Sequence, residues 1–136
     1  MIAPAGYSGT PLPAKLGIRP GGRVLLDSPP DGPALGVLPD GVTLHRRQGS
    51  GSYDVVLLVA PDVARLRARW PRLVPRLAPA GRLWVCWPKK SAGVPTDLSD
   101  GVVREFGLAH GLVDVKVCAV DATWSGLAFV RRLRDR

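Results

Sequence analysis

The side chains best suited to chemistry lie in one short stretch, Trp87-Pro88-Lys89-Lys90-Ser91. Two ammonium groups with a hydroxyl and backbone amides beside them can receive a phosphate or a carboxylate. Trp87, just ahead of them, can line the mouth of a cleft. A second pair, Asp27 and Ser28, closes the apolar run RVLLD at residues 23–27. Both sets stand where a strand-like run ends, and open α/β sheets collect ligands at the carboxyl ends of their strands. The chemistry expected is capture of a small anionic ligand or a protein partner, with the loop after the fourth strand as the functional rim.

A reaction is harder to read. No Walker loop of the form GxxxxGK[ST] is present. His45 and His110 are far apart and have no Ser or Cys in a recognisable elbow. Cys86 and Cys118 lack a CxxC neighbour or a His at metal spacing, so they read as two buried free thiols. No catalytic residue is therefore assigned, no metal or cofactor is expected, and the balance leans away from an enzyme. Thr96, Asp97, Ser99 and Asp100 crowd a helix start, where capping accounts for at least one of them. Asp100 would join the site if its carboxylate faced Lys89 or Lys90. Asp121, Thr123, Trp124 and Ser125 fit a hairpin turn.

The elements that must position these groups can be read from periodicity and punctuation. Residues 1–9 read as an irregular lead-in, in which Tyr7 could dock the segment on the body. Thr10 reads as the cap of a short helix with Pro11 in its first position and Gly17 as its stop. Residues 23–27 form a buried strand. The Pro- and Gly-rich stretch after it holds at most a short helix around residues 34–38. Two more strands come at 42–45 and, most apolar of all, at 53–60. A helix then starts near Asp62, with Leu66 and Trp70 on one face and Arg65 and Arg69 on another. Pro71 should break it, and Pro75 should kink the chain beyond. The arginines at 65, 69, 72 and 76 read as a solvated face. APAG at 78–81 turns the chain into a fourth strand at 82–87. A helix spans 98–110 with Asp97 or Ser99 as its cap, and Gly111 ends it. Residues 113–120 alternate, with Val113, Val115, Val117 and Ala119 on the apolar side. A short turn leads to a last strand at 126–133, which must pair antiparallel.

Strands alternating with helices imply a Rossmann-like three-layer α/β sandwich: about six strands, mostly parallel, with an antiparallel C-terminal hairpin. The 136 residues fit one domain without internal repeat. No apolar run approaches the roughly 20 residues that cross a bilayer, and the N-terminus lacks the charged and apolar regions of a secretory signal. A cytoplasmic protein without membrane attachment, monomer or homodimer, is expected. Nineteen basic against eleven acidic residues give a net charge of +8. That charge favours phosphate-bearing partners and keeps nucleic acid in view.

Two resemblances add to this. LGIRPGGRVLLD, LAPAGRLWV and GLVDVKVCAVDATWSGLAFVRR resemble, in that order, the entry to the first strand, the element before a late strand, and the closing hairpin of class I methyltransferases. The resemblance implies that fold and raises a residual S-adenosylmethionine-dependent enzyme as an alternative. The loop after the first strand departs from that pattern. Ser28-Pro29-Pro30-Asp31-Gly32 stands where the family has glycines, and prolines remove amide donors. Arg46 and Arg47 stand where an acidic residue would hold a ribose. The chain also resembles a bacterial family, domain of unknown function 3052, through GYSGTPLPAKLGI and the long run from Trp87 to Arg132. That resemblance implies a fold and a bacterial origin and carries no activity. A non-catalytic or catalytically degenerate binding domain is the leading reading, with the methyltransferase-like enzyme beside it and a nucleic-acid binder that would use the arginines of 65–76 and the basic tail.

Overall fold

The computed structural model describes residues 10–136. All of its strands belong to one six-stranded sheet: β1 (Arg23–Asp27), β2 (Thr43–His45), β3 (Tyr53–Val59), β4 (Leu77–Pro88), β5 (Leu112–Ala119) and β6 (Trp124–Arg131), in the order β2-β1-β3-β4-β6-β5. The first four are mutually parallel, and β6 runs antiparallel between β4 and β5. This is the mixed sheet with a terminal hairpin that the strand pattern implies. Central strands are buried on both faces, which is why β1 and β3 read as continuous Val/Leu runs.

Among the described residues three α-helices accompany the sheet: α1 (Leu12–Lys15), α2 (Val63–Leu73) and α3 (Asp100–Ala109). The longer two, α2 and α3, lie on one face. Leu66, Trp70, Leu73 and Val103 pack there with Tyr53, Leu83, Leu127 and Phe129. The edge of the Trp70 ring meets Phe129 at 5.4 Å between centroids. Gly107 is what lets α3 approach, because a Cβ at that position would collide with the Phe129 ring. The opposite face is covered by the four-residue α1 and by irregular chain, with Leu16, Ile18 and Leu35 meeting Trp84 and Trp124. Trp84 Nε1 donates to the Leu16 carbonyl at 2.9 Å and fixes α1 to the sheet.

Several local expectations change. The first helix starts one residue late: Pro11, not Thr10, is its cap, and no side chain caps it. Residues 34–38 hold no helix, within the limit that the surrounding Pro and Gly set. Pro71 does not break α2, which runs on to Leu73. It sits on the exposed side two residues from the helix end, where water can reach the carbonyl its missing N–H leaves free. Pro75 falls in a single 3-10 turn, Val74–Arg76. The APAG segment is no separate turn but a bulge within β4, whose pairing with β3 jumps from Leu77 to Arg82. In β5 a second irregularity between Asp114 and Lys116 reverses the alternation. Val115 and Val117 are consequently half exposed, whereas Cys118 is buried. Tyr7 and Ser8 lie outside the described residues.

Candidate functional site

The carboxyl edge of the sheet carries two distinct places. One lies between β1 and β3, where the strand order reverses and open α/β sheets usually hold a ligand. The other lies one strand further along, beside the end of β4.

At the first place β1 ends on Asp27, which is 8% exposed and stands out as a charged residue within the core. α2 starts directly above it. Asp62 caps that helix, its Oδ1 accepting from the Arg65 amide at 2.9 Å, and Asp97 Oδ1 accepts from the Val63 amide at 2.8 Å. Two of the unpaired amides at the helix start are thereby satisfied. The i,i+4 spacing then aims Arg65 and Arg69 down the same side. Arg65 Nη2 meets Asp27 Oδ1 at 2.5 Å. Arg69 grips Oδ2 through Nε at 2.8 Å and Nη2 at 2.6 Å. Arg65 Nε also donates to the Val59 carbonyl at 2.9 Å. These two arginines are therefore not part of a solvated stripe. They neutralise a buried carboxylate that would otherwise lack a partner.

The loop after Asp27 is equally closed on itself. Ser28 Oγ donates to the Pro29 carbonyl at 2.8 Å, and the Gly32 amide donates to the same oxygen at 3.0 Å. Gly32 presses on the Ser28 hydroxyl so closely that a Cβ would not fit. The glycine thus serves a tight turn and builds no cradle for a cofactor.

At the second place the chain leaves β4 through Trp87 and Pro88. The Lys89 amide donates to the Thr123 carbonyl at 2.7 Å, tying the loop to the hairpin turn. Asp121 Oδ1 in turn accepts from the Thr123 and Trp124 amides, both at 2.8 Å. A 3-10 turn, Lys90–Ala92, ends on Gly93 at φ +70°, a conformation glycine adopts without strain. The far end of the loop is strapped to the segment that leads into α2: Thr96 Oγ1 donates to the Pro61 carbonyl at 2.7 Å. Ser99 then caps α3 through the Val102 amide at 3.3 Å.

Between this loop, α3 and the hairpin lies a cleft of about 680 Å³. Its apolar lining includes Trp87, Leu98 and Val117, and its polar lining includes Lys89, Lys90 and Ser125. Among the described residues neither lysine has an acidic partner. Asp100 also lines the cleft, but it pairs with Arg104 rather than with a lysine, and Arg104 further donates to Asp114 at 3.0 Å.

Of the six residues singled out in the sequence, Trp87, Lys89 and Lys90 line this cleft. Ser91 lies in the adjoining 3-10 turn outside the lining, and Asp27 and Ser28 lie at the other place. Sequence patterns offer Arg65 and Arg69 only as part of a basic helix face for nucleic acid, whereas in the structure both turn to Asp27. A strand-end aspartate together with arginines at i and i+4 on a later helix is the available signal. Cys86 and Cys118 are free and buried, both paired in register with Gly126 from opposite sides. Burial pushes the Cys86 thiol well above its ordinary range, with Cys118 and Asp121 adding to the effect. Burial also raises Cys118, opposed by the nearby Lys15, Lys116 and Lys89. Neither thiol is poised as a nucleophile.

Comparison with solved structures addresses the fold. LepI in complex with SAM is 16% identical, with a TM-score of 0.52 over 89% of this chain and 39% of that one. A LepI variant with SAH and a substrate analogue is 13% identical, with a TM-score of 0.53 over 93% and 40%. The fold is a methyltransferase-like Rossmann fold. Ribosomal protein L11 methylase from Lactobacillus delbrueckii subsp. bulgaricus is also similar, at 13% identity and a TM-score of 0.46 over 69% and 46%. The chain spans between 39% and 57% of the length of these and other solved structures it matches. No protein-family model and no curated protein matches it. No helix among the described residues is long and apolar enough to cross a membrane.

Proposed function

We propose that this chain is a binding domain on a methyltransferase-like fold, and that the cleft beside β4 takes a small ligand with an apolar body and one anionic group. The observation that carries this reading is the cleft lining: Trp87, Leu98 and Val117 form an apolar floor beside two lysines without acidic partners among the described residues. An apolar wall supplies the affinity, and a few convergent charges fix the orientation. A dianion is disfavoured, because Asp100 faces the same cleft and the start of α3 is already capped by Ser99. In this reading the domain is single, cytoplasmic and non-catalytic. Its sequence resemblance to domain of unknown function 3052 supports membership of that family.

The alternative, retained S-adenosylmethionine binding between β1 and β3, draws support from the fold. Against it stand the Arg65–Asp27–Arg69 clamp and the closed Ser28–Gly32 turn, which fill that place with the chain's own groups. One titration separates the two. The 15N-labelled protein is titrated with 4-phenylbutyrate and, separately, with S-adenosylmethionine, and amide shifts are followed. Shifts from 4-phenylbutyrate at residues 87–100 and at Ser125, lost in Lys89→Ala with Lys90→Ala, are expected. Shifts from S-adenosylmethionine at residues 27–32 would favour the alternative, and silence at the cleft would end the leading reading.

A further inference from the structure

The amino edge of the sheet, away from both places described above, gathers positive charge. The return segment from β2 to β3, residues 46–52, is held against the C-terminal end of α2. Gln48 Nε2 donates to the Arg72 carbonyl at 2.6 Å, and Arg76 Nη1 donates to the Gly51 carbonyl at 3.1 Å. β6 finishes beside them, with Arg131 Nη2 donating to the Val74 and Leu77 carbonyls, both at 2.8 Å. These bonds bring Arg72, Arg76 and Arg131 together next to the chain end RLRDR, and Arg46 and Arg47 directly precede Gln48 in the same return segment. Among the described residues none of the five has an acidic partner.

Part of this charge has a structural use. Arg131 satisfies the Val74 carbonyl at the C-cap of α2 and the Leu77 carbonyl at the start of β4. Arg46, Arg47 and Arg72 have no such employment: their side chains are exposed and make no hydrogen bond among the described residues. Asp27, Asp62, Asp97, Asp100 and Asp121 lie at the carboxyl edge, whereas Asp54, whose Oδ2 accepts from the Arg23 amide, and Asp135, beside Arg134, lie at the amino edge. The return segment and the last turn of α2 thus carry Arg46, Arg47 and Arg72 without acidic partners among the described residues.

We propose that this face binds the phosphate backbone of double-stranded nucleic acid without sequence preference. Guanidinium forks match phosphate oxygens in pairs and are weakly hydrated, so arginine suits this contact better than lysine. The exposed large hydrophobic residues among those described are all aliphatic, so no aromatic platform is offered on which single-stranded bases could stack. Leu133 is the large apolar side chain exposed beside the arginines, far short of the apolar flank that an anionic membrane surface would engage.

The test is fluorescence anisotropy of a labelled duplex of about 20 base pairs with the full chain, between about 50 and 200 mM NaCl. Four phosphate contacts give a slope of log K on log[salt] near −3.6, at about 0.9 per contact, so affinity falls about 10²-fold across that range. Arg46→Gln with Arg47→Gln, both exposed, should lower the slope magnitude by about 2 and leave Tm unchanged. Two duplexes of unrelated sequence should bind equally. The proposal is overturned by absent binding at the lowest salt, or by a slope unmoved in the double variant. Equal capture by poly-glutamate or by phosphatidylserine vesicles would overturn it as well, since the face would then attract any polyanion.

Discussion

The two places at the carboxyl edge of the sheet are built in opposite ways. Between β1 and β3 a carboxylate and two guanidiniums from the same chain occupy the position where this architecture usually receives a ligand. Beside β4 the lysines are left without acidic partners among the described residues, over a cleft floored by the buried Trp87 and Leu98 and walled by the half-exposed Val117. The first place is satisfied internally and the second is not. Charge therefore acts differently in each: at Asp27 it holds α2 to β1, and at Lys89 and Lys90 it contributes little to the fold. The contrast predicts that substitutions will separate stability from binding along one sheet edge.

The largest effect is expected at Asp27. Asp27→Ala leaves two part-buried guanidiniums, with side chains 31% and 29% exposed, facing no anion. Breaking such a pair costs about 3 kcal/mol, at the low end because both arginines keep some water. That corresponds to a fall in Tm of roughly 10 °C, read by thermal unfolding. Asp27→Leu combined with Arg65→Leu and Arg69→Leu should recover most of the loss, since no lone charge remains. A loss below about 1 kcal/mol for Asp27→Ala would remove the distinction between the two places.

The clamp also shows where residue patterns stop being informative. The i,i+4 spacing establishes that Arg65 and Arg69 share a helix side, but it is silent on what that side meets. Asp27 supplies the missing constraint: a carboxylate ending a doubly buried strand requires a partner. β1, β3 and the hairpin are legible because apolar runs and short turns leave few alternatives. β5 is not, because one bulged residue transfers every later side chain to the other face, and valine alternation carries no mark of a bulge. Pro71 misleads because its cost depends on exposure and on distance from the helix end. The cleft is legible as a location, since Trp87, Lys89 and Lys90 come directly after a buried strand. Its apolar wall is not, because Leu98 and Val117 reach it from distant segments.

A smaller effect sharpens the contrast at the cleft itself. Ser99→Ala removes the side-chain acceptor of the Val102 amide at the start of α3. The expected loss is about 1 kcal/mol or slightly less, as the bond is long at 3.3 Å. Denaturant unfolding measures the loss, and faster exchange of the Val102 amide would place it at the cap. Asp97→Ala would act instead on α2, whose Val63 amide it serves. The α3 wall of the cleft is thus secured by a neutral cap, and its stability is independent of the lysines.

The smallest effect on stability belongs to Lys89→Ala with Lys90→Ala, and it tests the comparison most directly. Neither ammonium has an acidic partner among the described residues, and Lys90 is exposed. The loop is held by the Lys89 main-chain amide, by Gly93 and by Thr96, all of which survive the substitutions. Stability should therefore change by less than about 0.5 kcal/mol, as for surface positions without special contacts. The thermal stabilisation given by 4-phenylbutyrate should disappear in the same variant, because ligand linkage scales with affinity rather than with fold. A loss of stability comparable to that of Asp27→Ala would mean that the lysines hold the fold as the clamp does. The cleft would then be a second internally satisfied region rather than an open one.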